Sequence, residues 1–599
     1  MNKPFSTLSD AIMHWAQVKP DAPALRAPDV KDLSYASLKH QLDSSTKQLA
    51  ELGYGADHRL ALVLPQGILL ASCLLTLSAS CAVFPINAYL TVPELVNAFK
   101  KADVSAVLVT AQGSDDARTA AAESGVPLVE LVTPGNMPSA NYSLRGAPAA
   151  APSSTVMQTD TTAFLISTSG TTGTGKLVPI NNRMFAEVIA IKSKNLKITP
   201  QDVTLLTESL NLISAISSTL FPVIYRGGCV VVDTTLDLNS YLEHIEQYQP
   251  DWLDVSTPML HAIYNQLSVH PATETIKRLR FMRVGGAPFP ADRMRTLEKW
   301  AGVPIIHSYG MTEGLSGNLC NPLPPGIRMH ESVGVVIHGE ISIFSDEGKQ
   351  LPLTEIGELG IKSPLIFKGY FNPEDNIPSP FKDGWFMTGD LARIDENGYV
   401  TIVGRRKEMI NSGAMKILPS EVEAAICLHP DVADACVVPL PHPTLGEQVS
   451  AAVVLHNTSL TERELVDHLR SHLALFKIPS YIIFIDAMPR NPGGKVMRRE
   501  VVEMITAELK RATSSHTTKP LNQTQAQVLA VWQKVLGGTS IKPDEAFLLA
   551  GGDSLTAVSL ANLLSQTFSL EFGVMDVFDF PTVLSQAAEI DRRRNTSVK

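Results

Sequence analysis

Cysteine is scarce in this chain and forms no metal-binding pattern. The six cysteines, at positions 73, 81, 229, 320, 427 and 436, make no C-x-x-C pair and no cluster with histidines. This spacing argues against a zinc site or a disulfide framework. We therefore expect reduced, buried thiols in a cytoplasmic protein.

The chain also lacks an excess of basic residues. Its 50 Lys and Arg residues against 60 Asp and Glu residues give a formal net charge of −10 and a pI near 5.9. That balance leaves no basic surface for a polyanion, so we expect no nucleic-acid partner.

Uninterrupted apolar runs of membrane-spanning length are missing as well. The N-terminus, Met1 to Ser6, has no apolar core typical of a signal peptide. Residues 60–86 are strongly apolar, but Pro65, Gln66 and Gly67 interrupt them after five residues. The pattern favours a buried strand followed by a buried helix, so we expect no membrane span.

What the chain does contain is the pattern of an α/β protein with several domains. Across its first four hundred residues, short β-branched runs alternate with helix-length segments, which predicts parallel sheets covered by helices. The strand-like runs are 60–64, 106–109, 163–166, 229–232, 253–255, 281–284 and 304–306. Residues 134–154, rich in Pro, Ala and Ser, are predicted to form a surface connection.

A loop rich in hydroxyls and glycines follows the apolar run 164–166 and closes on Lys176. Gly170, Gly173 and Gly175 allow backbone N–H groups to turn toward an anion, and Lys176 adds positive charge. The hydroxyl donors are Thr168, Ser169, Thr171, Thr172 and Thr174. A mobile polar loop has the same composition, so the neighbouring residues decide the interpretation.

Those neighbours disfavour a P-loop phosphotransferase. Residues 170–176 satisfy most of the pattern G-x-x-x-x-G-K-[ST], but Leu177 has no hydroxyl for magnesium. A P-loop also opens a helix, whereas 177–180 is typical of extended chain. The loop instead resembles the phosphate loop of adenylate-forming enzymes, the superfamily of acyl-CoA synthetases, luciferases and peptide-synthetase adenylation domains. Gly175 stands where that family usually has proline.

Residues 280–288 and 306–313 add two further motifs. The first is a strand that ends in small residues, where a flat ring could lie against backbone. The second, Ile-His-Ser-Tyr-Gly-Met-Thr-Glu, resembles the adenine and magnesium motif of the same family. Tyr309 offers a face for adenine, Thr312 a hydroxyl for phosphate, and Glu313 an oxygen ligand for magnesium. Taken singly, Tyr309 is equally typical of a core residue and Glu313 of a solvated one.

The resemblance implies a larger set of nucleotide contacts from these two motifs. These contacts are Gly286, Ala287, Pro288, Ser308, Tyr309, Gly310, Met311 and Thr312. In the same family an aspartate in a Thr-Gly-Asp motif binds the ribose hydroxyls, which a carboxylate can do by accepting two hydrogen bonds. That residue is Asp390 here; a turn aspartate after a glycine is the structural alternative.

The resemblance also implies a smaller C-terminal subdomain beginning after Ile402, which is expected to contact the nucleotide. Arg405 matches the family arginine near ribose and phosphates, and Lys407 matches the hinge about which the subdomain swings. Residues 412–419 depart from the Gly-Gly-Glu more usual there, with Ala414 and Met415. This departure affects a loop expected to line the thiol tunnel.

Lys495 is the expected catalytic lysine. It follows a Gly-Gly turn within 488–498, where Pro489 and Arg498 fit the family's catalytic-lysine motif. A Gly-Gly-Lys sequence by itself would be weak evidence. Here it completes five motifs in family order, spanning about residues 10 to 510.

A separate unit follows a polar linker, 511–521. Residues 527–536 place Val528, Val531, Trp532 and Val535 on one helical face, and Ser554 begins a second amphipathic helix after Gly-Gly-Asp. A serine at a helix start is usually an N-cap. In this context Ser554 resembles the phosphopantetheine attachment serine of a carrier protein, which needs about seventy residues in three or four short helices.

The sequence thus predicts an adenylation domain fused to a carrier. The large N-terminal subdomain (1–402) would have stacked β-sheets and helices, and the small mobile subdomain (403–510) would be α+β with its hinge at 407. The carrier (522–592) would be an all-α helical bundle. The implied cofactors are ATP, Mg²⁺ and 4′-phosphopantetheine, with Lys495, Lys407 and Glu313 serving catalysis.

The expected activity is conversion of a carboxylic acid to an acyl-adenylate and then to a thioester on Ser554. A phosphopantetheinyl transferase is an implied partner, and the didomain would load a non-ribosomal-peptide or polyketide-type pathway. No condensation, reductase or thioesterase segment follows residue 599, so we expect a condensing, reducing or thioesterase protein to receive the acyl group in trans. The alternatives are release of free acyl-CoA, activation of an amino acid, and a scaffold that only presents the carrier.

The sequence restricts the class of acid substrate but does not identify the acid. Relatives that activate α-amino acids pair the substrate ammonium with an aspartate in the segment before Gly227, but residues 206–228 contain none. Counting back from Gly227 without gaps places Ser214 at the position of that aspartate. Glu208, the only acidic residue of the segment, lies six residues earlier. An ammonium without a partner would be desolvated at a cost of several kcal/mol, so we expect an acid without an α-amino group. The predicted pocket residues are Asn211, Leu212, Ser214, Val284 and Gly285, with Asn211 and Ser214 bonding a polar substituent.

Overall fold

The chain divides into two compact units. The computed structural model describes residues 5–134, 139–149, 153, 157–168, 175–234, 238–267, 273–413, 415–442, 445–456, 460–491, 494–514, 521–537, 541–543, 547, 550, 552 and 554–596. The first unit comprises Met1–Ile402 with Pro492–Lys495, and the second comprises Val403–Asn491 with Val496–Lys599.

Strands separate most helices of the first unit, as the alternating sequence pattern predicts. The helices of this unit are α1 (Leu8–Val18), α2 (Tyr35–Glu51), α3 (Ile68–Leu77), α4 (Val92–Lys101), α5 (Asp115–Ser124), α6 (Asn182–Asn195), α7 (Phe221–Arg226), α8 (Leu238–Tyr248), α9 (Thr257–Asn265), α10 (Glu274–Arg278) and α11 (Ala291–Ala301). A π-helix, Ala215–Leu220, leads directly into α7.

The strands begin near the N-terminus and continue to the end of the first unit. They are β1 (Pro23–Ala27), β2 (Val30–Ser34), β3 (Arg59–Leu64), β4 (Ala82–Asn87), β5 (Ala106–Thr110), β6 (Leu128–Val132), β7 (Ser143–Gly146), β8 (Thr162–Ser167), β9 (Leu177–Asn181), β10 (Val203–Leu206), β11 (Cys229–Val232), β12 (Trp252–Asp254), β13 (Met282–Gly285), β14 (Ile305–Tyr309), β15 (Leu319–Cys320), β16 (Val335–Val336), β17 (Glu340–Phe344), β18 (Gln350–Leu351), β19 (Gly357–Lys362), β20 (Phe381–Lys382), β21 (Trp385–Ile394) and β22 (Val400–Arg405).

Three sheets form from these strands in the described part of the chain. A nine-stranded sheet has the order β16-β15-β14-β13-β12-β10-β11-β1-β2, and a seven-stranded sheet has the order β7-β6-β5-β3-β4-β8-β9. The third has the order β18-β17-β19-β21-β20, with β22 joined to β21. In the nine-stranded sheet, β10 to β14 pair in parallel, so their carboxyl ends meet at one edge.

Burial explains why these segments fold as predicted. The apolar stretch near residue 60 becomes β3, α3 and β4, and nine of the ten α3 residues are buried. A helix with apolar residues on every side must be enclosed by protein or lipid. Here it packs in the main hydrophobic core. Among the described residues, no helix is both long and apolar enough to cross a membrane.

The predicted surface connection at 134–154 is only partly correct, because it contains β7. This strand pairs antiparallel with β6 at the edge of the seven-stranded sheet. Just before it, Tyr142 is buried and exchanges two hydrogen bonds with the Gln41 amide, at 2.9 and 3.1 Å. An exposed edge strand leaves its backbone groups unpaired, and this segment pairs those of β6.

The second unit contains a sheet with helices and a helical bundle. Its elements are β23 (Ile410–Ser412), β24 (Met415–Ile417), α12 (Pro419–Cys427), β25 (Val432–His442), β26 (Gly446–Leu455), α13 (Glu462–Arg470), β27 (Tyr481–Phe484), α14 (Arg498–Ser514), α15 (Gln523–Leu536), α16 (Ser554–Phe568), α17 (Val574–Asp579) and α18 (Val583–Thr596). The sheet order is β24-β23-β26-β25, with β27 parallel to β26.

Alternation along β25 and β26 gives this sheet two apolar faces. Val437 and Ala451 pack with α12 and α13 residues in one cluster, whereas Cys436 and Ala452 pack with α14 residues in another. This is the two-residue period of a strand covered on both sides. The bundle α15 to α18 has its own core around Trp532, whose indole N–H donates to Gln586 Oε1 at 2.8 Å.

Candidate active site

Two predicted motifs meet at the carboxyl edge of the nine-stranded sheet. Strands β13 and β14 are parallel neighbours, with Gly285 opposite Ser308. The Ser308 hydroxyl donates to the Val284 carbonyl at 3.2 Å. Residues 286–288 and 310–313 follow these strands directly, so the two motifs leave the sheet side by side. Loops at the carboxyl ends of parallel strands are where ligands bind in sheets of this kind.

The base of the predicted phosphate loop is closed by its two flanking residues. The Thr168 N–H donates to the Lys176 carbonyl at 2.8 Å, and the Lys176 N–H donates to Thr168 Oγ1 at 3.0 Å. A Cβ on Gly175 would lie 2.2 Å from the Thr168 carbonyl oxygen, which explains why this position accommodates glycine. The remaining predicted contacts, Ser169, Gly170, Thr171, Thr172 and Gly173, lie outside the described residues.

Lys176 and Glu313 are connected through a tyrosine that the sequence analysis did not single out. Lys176 Nζ donates to the Asp375 carbonyl at 2.9 Å and lies 4.3 Å from the centre of the Tyr370 ring. The Tyr370 hydroxyl donates to Glu313 Oε1 at 2.8 Å. Burial, and then the neighbouring Glu313 charge, raise the pKa of Tyr370, so its phenol stays protonated and remains a donor.

Backbone contacts fix the turn that carries Thr312 and Glu313. The Met311 carbonyl accepts from the Ser316 N–H at 2.8 Å, and 312–314 form a 3₁₀ turn. A Cβ on Gly310 would lie 1.7 Å from the Gly317 nitrogen, so only glycine allows the two chain segments to approach this closely. The sequence motif is therefore a compact loop held by its own backbone.

Asp390 is not a turn residue. It lies within β21, is buried, and accepts a hydrogen bond from the Tyr309 hydroxyl at 2.5 Å. The structure therefore brings together the residues expected to contact adenine and ribose, although they are 81 positions apart in sequence. Tyr309 itself is half-buried at the end of β14.

A buried charged cluster lies beside the predicted acid pocket and was missed by the sequence analysis. Arg283 Nη1 donates to both carboxylate oxygens of Asp254, at 2.9 and 2.7 Å. The Thr219 hydroxyl donates to the same carboxylate at 2.6 Å. Asp254 and Arg283 face each other across β12 and β13 and are almost fully buried. Ion pairs of this kind are stabilised only when their hydrogen bonds are complete.

Lys192 is a second buried basic residue of this region; burial lowers its pKa, and neutral oxygens surround its amino group. Its Nζ donates to the Ser217 carbonyl at 3.1 Å, to the Ser217 and Ser218 hydroxyls at 2.9 and 3.2 Å, and to the Leu315 carbonyl at 2.5 Å. It thus joins α6 to the π-helix and to the loop after Glu313. One signal was available in the sequence, because Lys192 falls on the buried α6 face that also carries Val188 and Ile189.

The predicted pocket residues belong to two segments that also contribute residues to this cluster, the one after β10 and strand β13. Ser214 precedes the π-helix and lies beside Glu208, which follows β10. Burial, and then the nearby Asp254 charge, raise the pKa of Glu208 to about 7, while Ser214 and Arg283 act in the opposite direction. The other predicted members are Asn211 and Leu212, both half-buried, Val284, buried in β13, and Gly285 at its end.

The remaining predicted residues are distributed over both units. Ile402 is the last residue of the first unit before the 403–491 segment, and the exposed Lys495 groups with that unit. Arg405 and Lys407 are exposed residues of the second unit, at the end of β22 and in a 3₁₀ turn. Ser554 is the first residue of α16. Ala414 lies outside the described residues.

Arg498, which follows the predicted catalytic lysine, is held by a polar network within the second unit. Its guanidinium pairs with Glu408 at 3.2 Å and with Glu423 at 2.8 Å, and it donates to the Val437 carbonyl at 2.5 Å. These contacts anchor the start of α14. They explain structurally why an arginine accompanies the lysine motif.

The donor set fits magnesium better than a transition metal. Within the described ranges, no group of three or more His, Cys, Asp or Glu side chains could hold a metal ion. Glu313 offers a single carboxylate near Lys176, connected to it through Tyr370. Mg²⁺ is commonly bound by one or two carboxylates together with substrate phosphates and water, which this arrangement allows.

Family models match the chain in three consecutive segments. The model for AMP-binding enzymes matches residues 12–371, and the model for the AMP-binding enzyme C-terminal domain matches 421–495. The model for the phosphopantetheine attachment site matches 526–590, which contains Ser554.

Individual relatives agree with these matches. The sulfoacetate–CoA ligase of Cupriavidus necator is 30% identical over 505 residues, covering 83% of this chain and 98% of that protein. The oxalate–CoA ligase of Arabidopsis thaliana is 28% identical, with 83% and 98% coverage. Among solved structures, ATP-bound MatB from Rhodopseudomonas palustris matches with a TM-score of 0.73 at 27% identity, covering 83% of this chain and 98% of that one.

The o-succinylbenzoate CoA synthetase of Bacillus subtilis, solved with ATP and magnesium, matches with a TM-score of 0.69 at 26% identity, covering 82% of this chain and 98% of that one. The predicted fold class and the ATP-dependent ligase activity are thereby confirmed. This chain belongs to the AMP-binding, adenylate-forming enzyme family, and is an ATP-dependent, AMP-forming ligase of acyl-CoA ligase type fused to a phosphopantetheine attachment domain.

Proposed function

We propose that this enzyme activates a carboxylic acid as its acyl-adenylate and transfers the acyl group to phosphopantetheine on its own Ser554. The observation that carries this proposal is the combination of matches: a phosphopantetheine attachment segment shares the chain with the ligase, and Ser554 begins α16 within that segment. We assign 1–402 and 403–510 to the two adenylation subdomains, 511–521 to a linker and 522–592 to the carrier.

In the first half-reaction, a carboxylate oxygen attacks the α-phosphorus of ATP. The bond from that phosphorus to the bridging oxygen breaks, and pyrophosphate leaves with the electron pair. Lys495 compensates the negative charge that develops between carboxylate and phosphate, and Lys176 with its loop holds the β- and γ-phosphates. Asp390 accepts hydrogen bonds from the ribose, and the nucleotide contacts follow those predicted from the motifs.

Magnesium, when bound, would neutralise phosphate charge in this reaction. Glu313 would hold it, oriented by the Tyr370 hydroxyl at 2.8 Å. Outer contacts of this kind fix the direction of a ligating carboxylate before the ion binds. They are therefore part of the ion site even though they do not touch the ion.

In the second half-reaction, the phosphopantetheine thiol loses its proton and attacks the acyl carbon. The carbon–sulfur bond forms, the carbon–oxygen bond to AMP breaks, and AMP leaves. We propose that the second unit reorients about Lys407 between the two steps. The product is a carrier-bound thioester, a substrate for a condensing, reducing or thioesterase protein in a non-ribosomal-peptide or polyketide-type pathway. Attachment of the prosthetic group requires a phosphopantetheinyl transferase.

The test is intact-mass measurement after phosphopantetheinylation and incubation with ATP and acid. Ser554→Ala should retain acid-dependent pyrophosphate exchange but gain neither prosthetic group nor acyl group, because its hydroxyl is the only proposed tether. Ser559→Ala is the matched control, since Ser559 is an exposed serine of the same helix. A prosthetic-group mass on Ser554→Ala would show that another residue is the attachment site.

A second candidate acceptor is free CoA. It is favoured by the similarity to the relatives of Cupriavidus necator and Arabidopsis thaliana, both of which are CoA ligases. Chromatography of products with and without CoA separates the two acceptors. Acyl-CoA formation that is unaffected by Ser554→Ala would make the carrier secondary.

The substrate is proposed to be an acid without an α-amino group. Ser214 stands where amino-acid-activating relatives have their aspartate, and it carries no charge with which to pair a substrate ammonium. A pyrophosphate-exchange panel that pairs each acid with its α-amino counterpart tests this. Preference for the amino acids would identify Glu208 as the first residue to examine for ammonium binding.

A further inference from the structure

Four charged or titratable residues come together at the carboxyl edge of four neighbouring strands. Glu208 follows β10, Asp254 ends β12, Arg283 lies on β13 and His307 lies on β14. The charges of Asp254 and Arg283 both act on Glu208, and the charge of Arg283 acts on His307. The edge next to the nucleotide motifs is therefore unusually polar for a buried region.

Most hydrogen-bonding groups in this cluster are already used. Both oxygens of Asp254 accept from Arg283, and Thr219 donates to one of them. The Lys192 ammonium has three donors and lies within hydrogen-bond distance of four oxygens, from Ser217, Ser218 and Leu315. These groups satisfy one another's hydrogen bonds, so none of them requires a ligand.

Three oxygens are left over, and all of them belong to the segment after β10. Glu208 Oε2 and Asn211 Oδ1 are shielded from solvent and have no hydrogen-bond partner among the residues that the structure describes. The Thr207 hydroxyl, one residue before Glu208, is likewise shielded from solvent and has no hydrogen-bond partner among the described residues. Leaving a buried acceptor unsatisfied is unfavourable, and such groups are uncommon in folded proteins unless a ligand or water completes them. Three in five consecutive residues therefore point to a ligand.

The chemistry of these atoms limits what the ligand can be. An ionised carboxylate and an amide oxygen are both acceptors, so the ligand must supply hydrogen-bond donors. Burial disfavours charge at this site, because it raises the pKa of Glu208 to about 7 and lowers the pKa of Lys192 well below its usual range. An ammonium would be desolvated beside a carboxyl that is only partly ionised near neutral pH, and a second carboxylate would lie against Glu208 while the Lys192 donors are occupied. A neutral donor fits both the hydrogen bonds and the charge.

We propose that Glu208 and Asn211 recognise a neutral hydrogen-bond donor, a hydroxyl or an uncharged amino group, on the carboxylic acid substrate. This inference rests on the proposed adenylation function and specifies its substrate class. The Lys192 and Arg283 networks hold the surrounding segments. The donor lies on the part of the acid remote from the reacting carboxylate.

The first test is acid-dependent pyrophosphate exchange at pH 8, where Glu208 is ionised. Two matched series serve as probes. One is benzoate with its hydroxy, amino and aminomethyl derivatives, and the other is butanoate with 3-hydroxybutanoate and 3-aminobutanoate. We expect kcat/KM for the hydroxy or arylamino member to exceed that of its unsubstituted parent and of its ammonium member by about tenfold to a hundredfold. Comparison of the hydroxy acids with the aminobenzoate shows whether the recognised donor is a hydroxyl or an uncharged amino group.

Two results of this panel would overturn the inference. Equal kcat/KM for parent and substituted acids would show that no donor is recognised, and preference for the ammonium members would show a cation site instead. Absence of exchange with every acid tested would contradict the adenylation function itself, which separates the two failures.

The second test is substitution of the acceptor. Glu208→Leu should reduce the ratio of kcat/KM between the donor-bearing acid and its parent to near one, whereas Glu208→Gln, which keeps one acceptor oxygen, should retain part of it. Glu187→Gln is the matched control, because Glu187 is an exposed carboxylate on α6. If Glu208→Leu does not fold, as judged by thermal unfolding, Asn211→Leu supplies the same comparison. A ratio unchanged in the folded variants would refute the assignment.

Discussion

Tyr370→Phe removes a single oxygen between two residues of the proposed phosphate and magnesium site. The Tyr370 hydroxyl donates to Glu313 Oε1 at 2.8 Å, while its ring lies 4.3 Å from Lys176 Nζ. Phenylalanine keeps the ring and therefore the contact with Lys176. Only the orientation of the Glu313 carboxylate should be affected.

The expected magnitude follows from the charge of the acceptor. A hydrogen bond to a charged group contributes about 1.5–3 kcal/mol, and loss of an outer contact to a metal ligand typically reduces metal affinity about 10- to 100-fold. Tyr370 stays protonated because burial and the Glu313 charge raise its pKa, so the bond is present at neutral pH. We expect the half-saturating Mg²⁺ concentration to rise about tenfold or more.

The assay is pyrophosphate exchange at saturating acid and ATP across a range of free Mg²⁺ concentrations. Tyr399→Phe is the matched control, since the Tyr399 hydroxyl donates to the Ile327 carbonyl at 2.6 Å, outside the proposed site. Thermal unfolding should differ little between the two variants. An unchanged Mg²⁺ requirement in Tyr370→Phe would mean that Glu313 does not hold the ion or does not need this contact.

Three further predictions concern the catalytic lysine, the hinge and pH. Lys495→Ala should slow pyrophosphate exchange about a hundredfold or more, while carrier loading from synthetic acyl-adenylate persists; an equal loss in both would contradict its assignment to the first step. Lys407→Pro should leave pyrophosphate exchange intact but slow carrier loading, because proline restricts φ at the position where a large backbone rotation is proposed. An unchanged loading rate would show that Lys407 is not the hinge. Burial lowers the pKa of His307 and of His338 to about 4, so the unfolded chain binds their protons first. Their contribution to the free energy of unfolding, about 3 kcal/mol each at most, is complete above pH 6.5 and is lost as pH falls toward 4. His307→Asn should therefore make the unfolding temperature change less between pH 7.5 and 5 than it does in the unmodified protein. His40→Asn, at an exposed histidine, should leave that change as it is.

Local patterns in the sequence were sufficient for the α/β class and for several of the strands. Strands β3, β8 and β13 begin and end within two residues of the predicted runs, because short β-branched runs between helices have few other ways to be buried. The motifs around Lys176, Tyr309 and Asp390 could likewise be identified, since each is a contiguous string with a family resemblance. The carrier was recognised for the same reason, and its helices α15 and α16 follow from their apolar periodicity.

Tertiary structure decided which distant residues act together. No spacing in the sequence connects Tyr370 with Glu313, Tyr309 with Asp390, or Lys192 with Leu315, because these contacts depend on the order in which strands join a sheet and on loops that cross between layers. The buried cluster around Arg283 and Asp254 arises from the parallel pairing of β12 and β13. A strand pattern predicts that a residue is buried, but only the neighbouring strand determines whether a buried charge has a partner and which oxygen is left for a substrate.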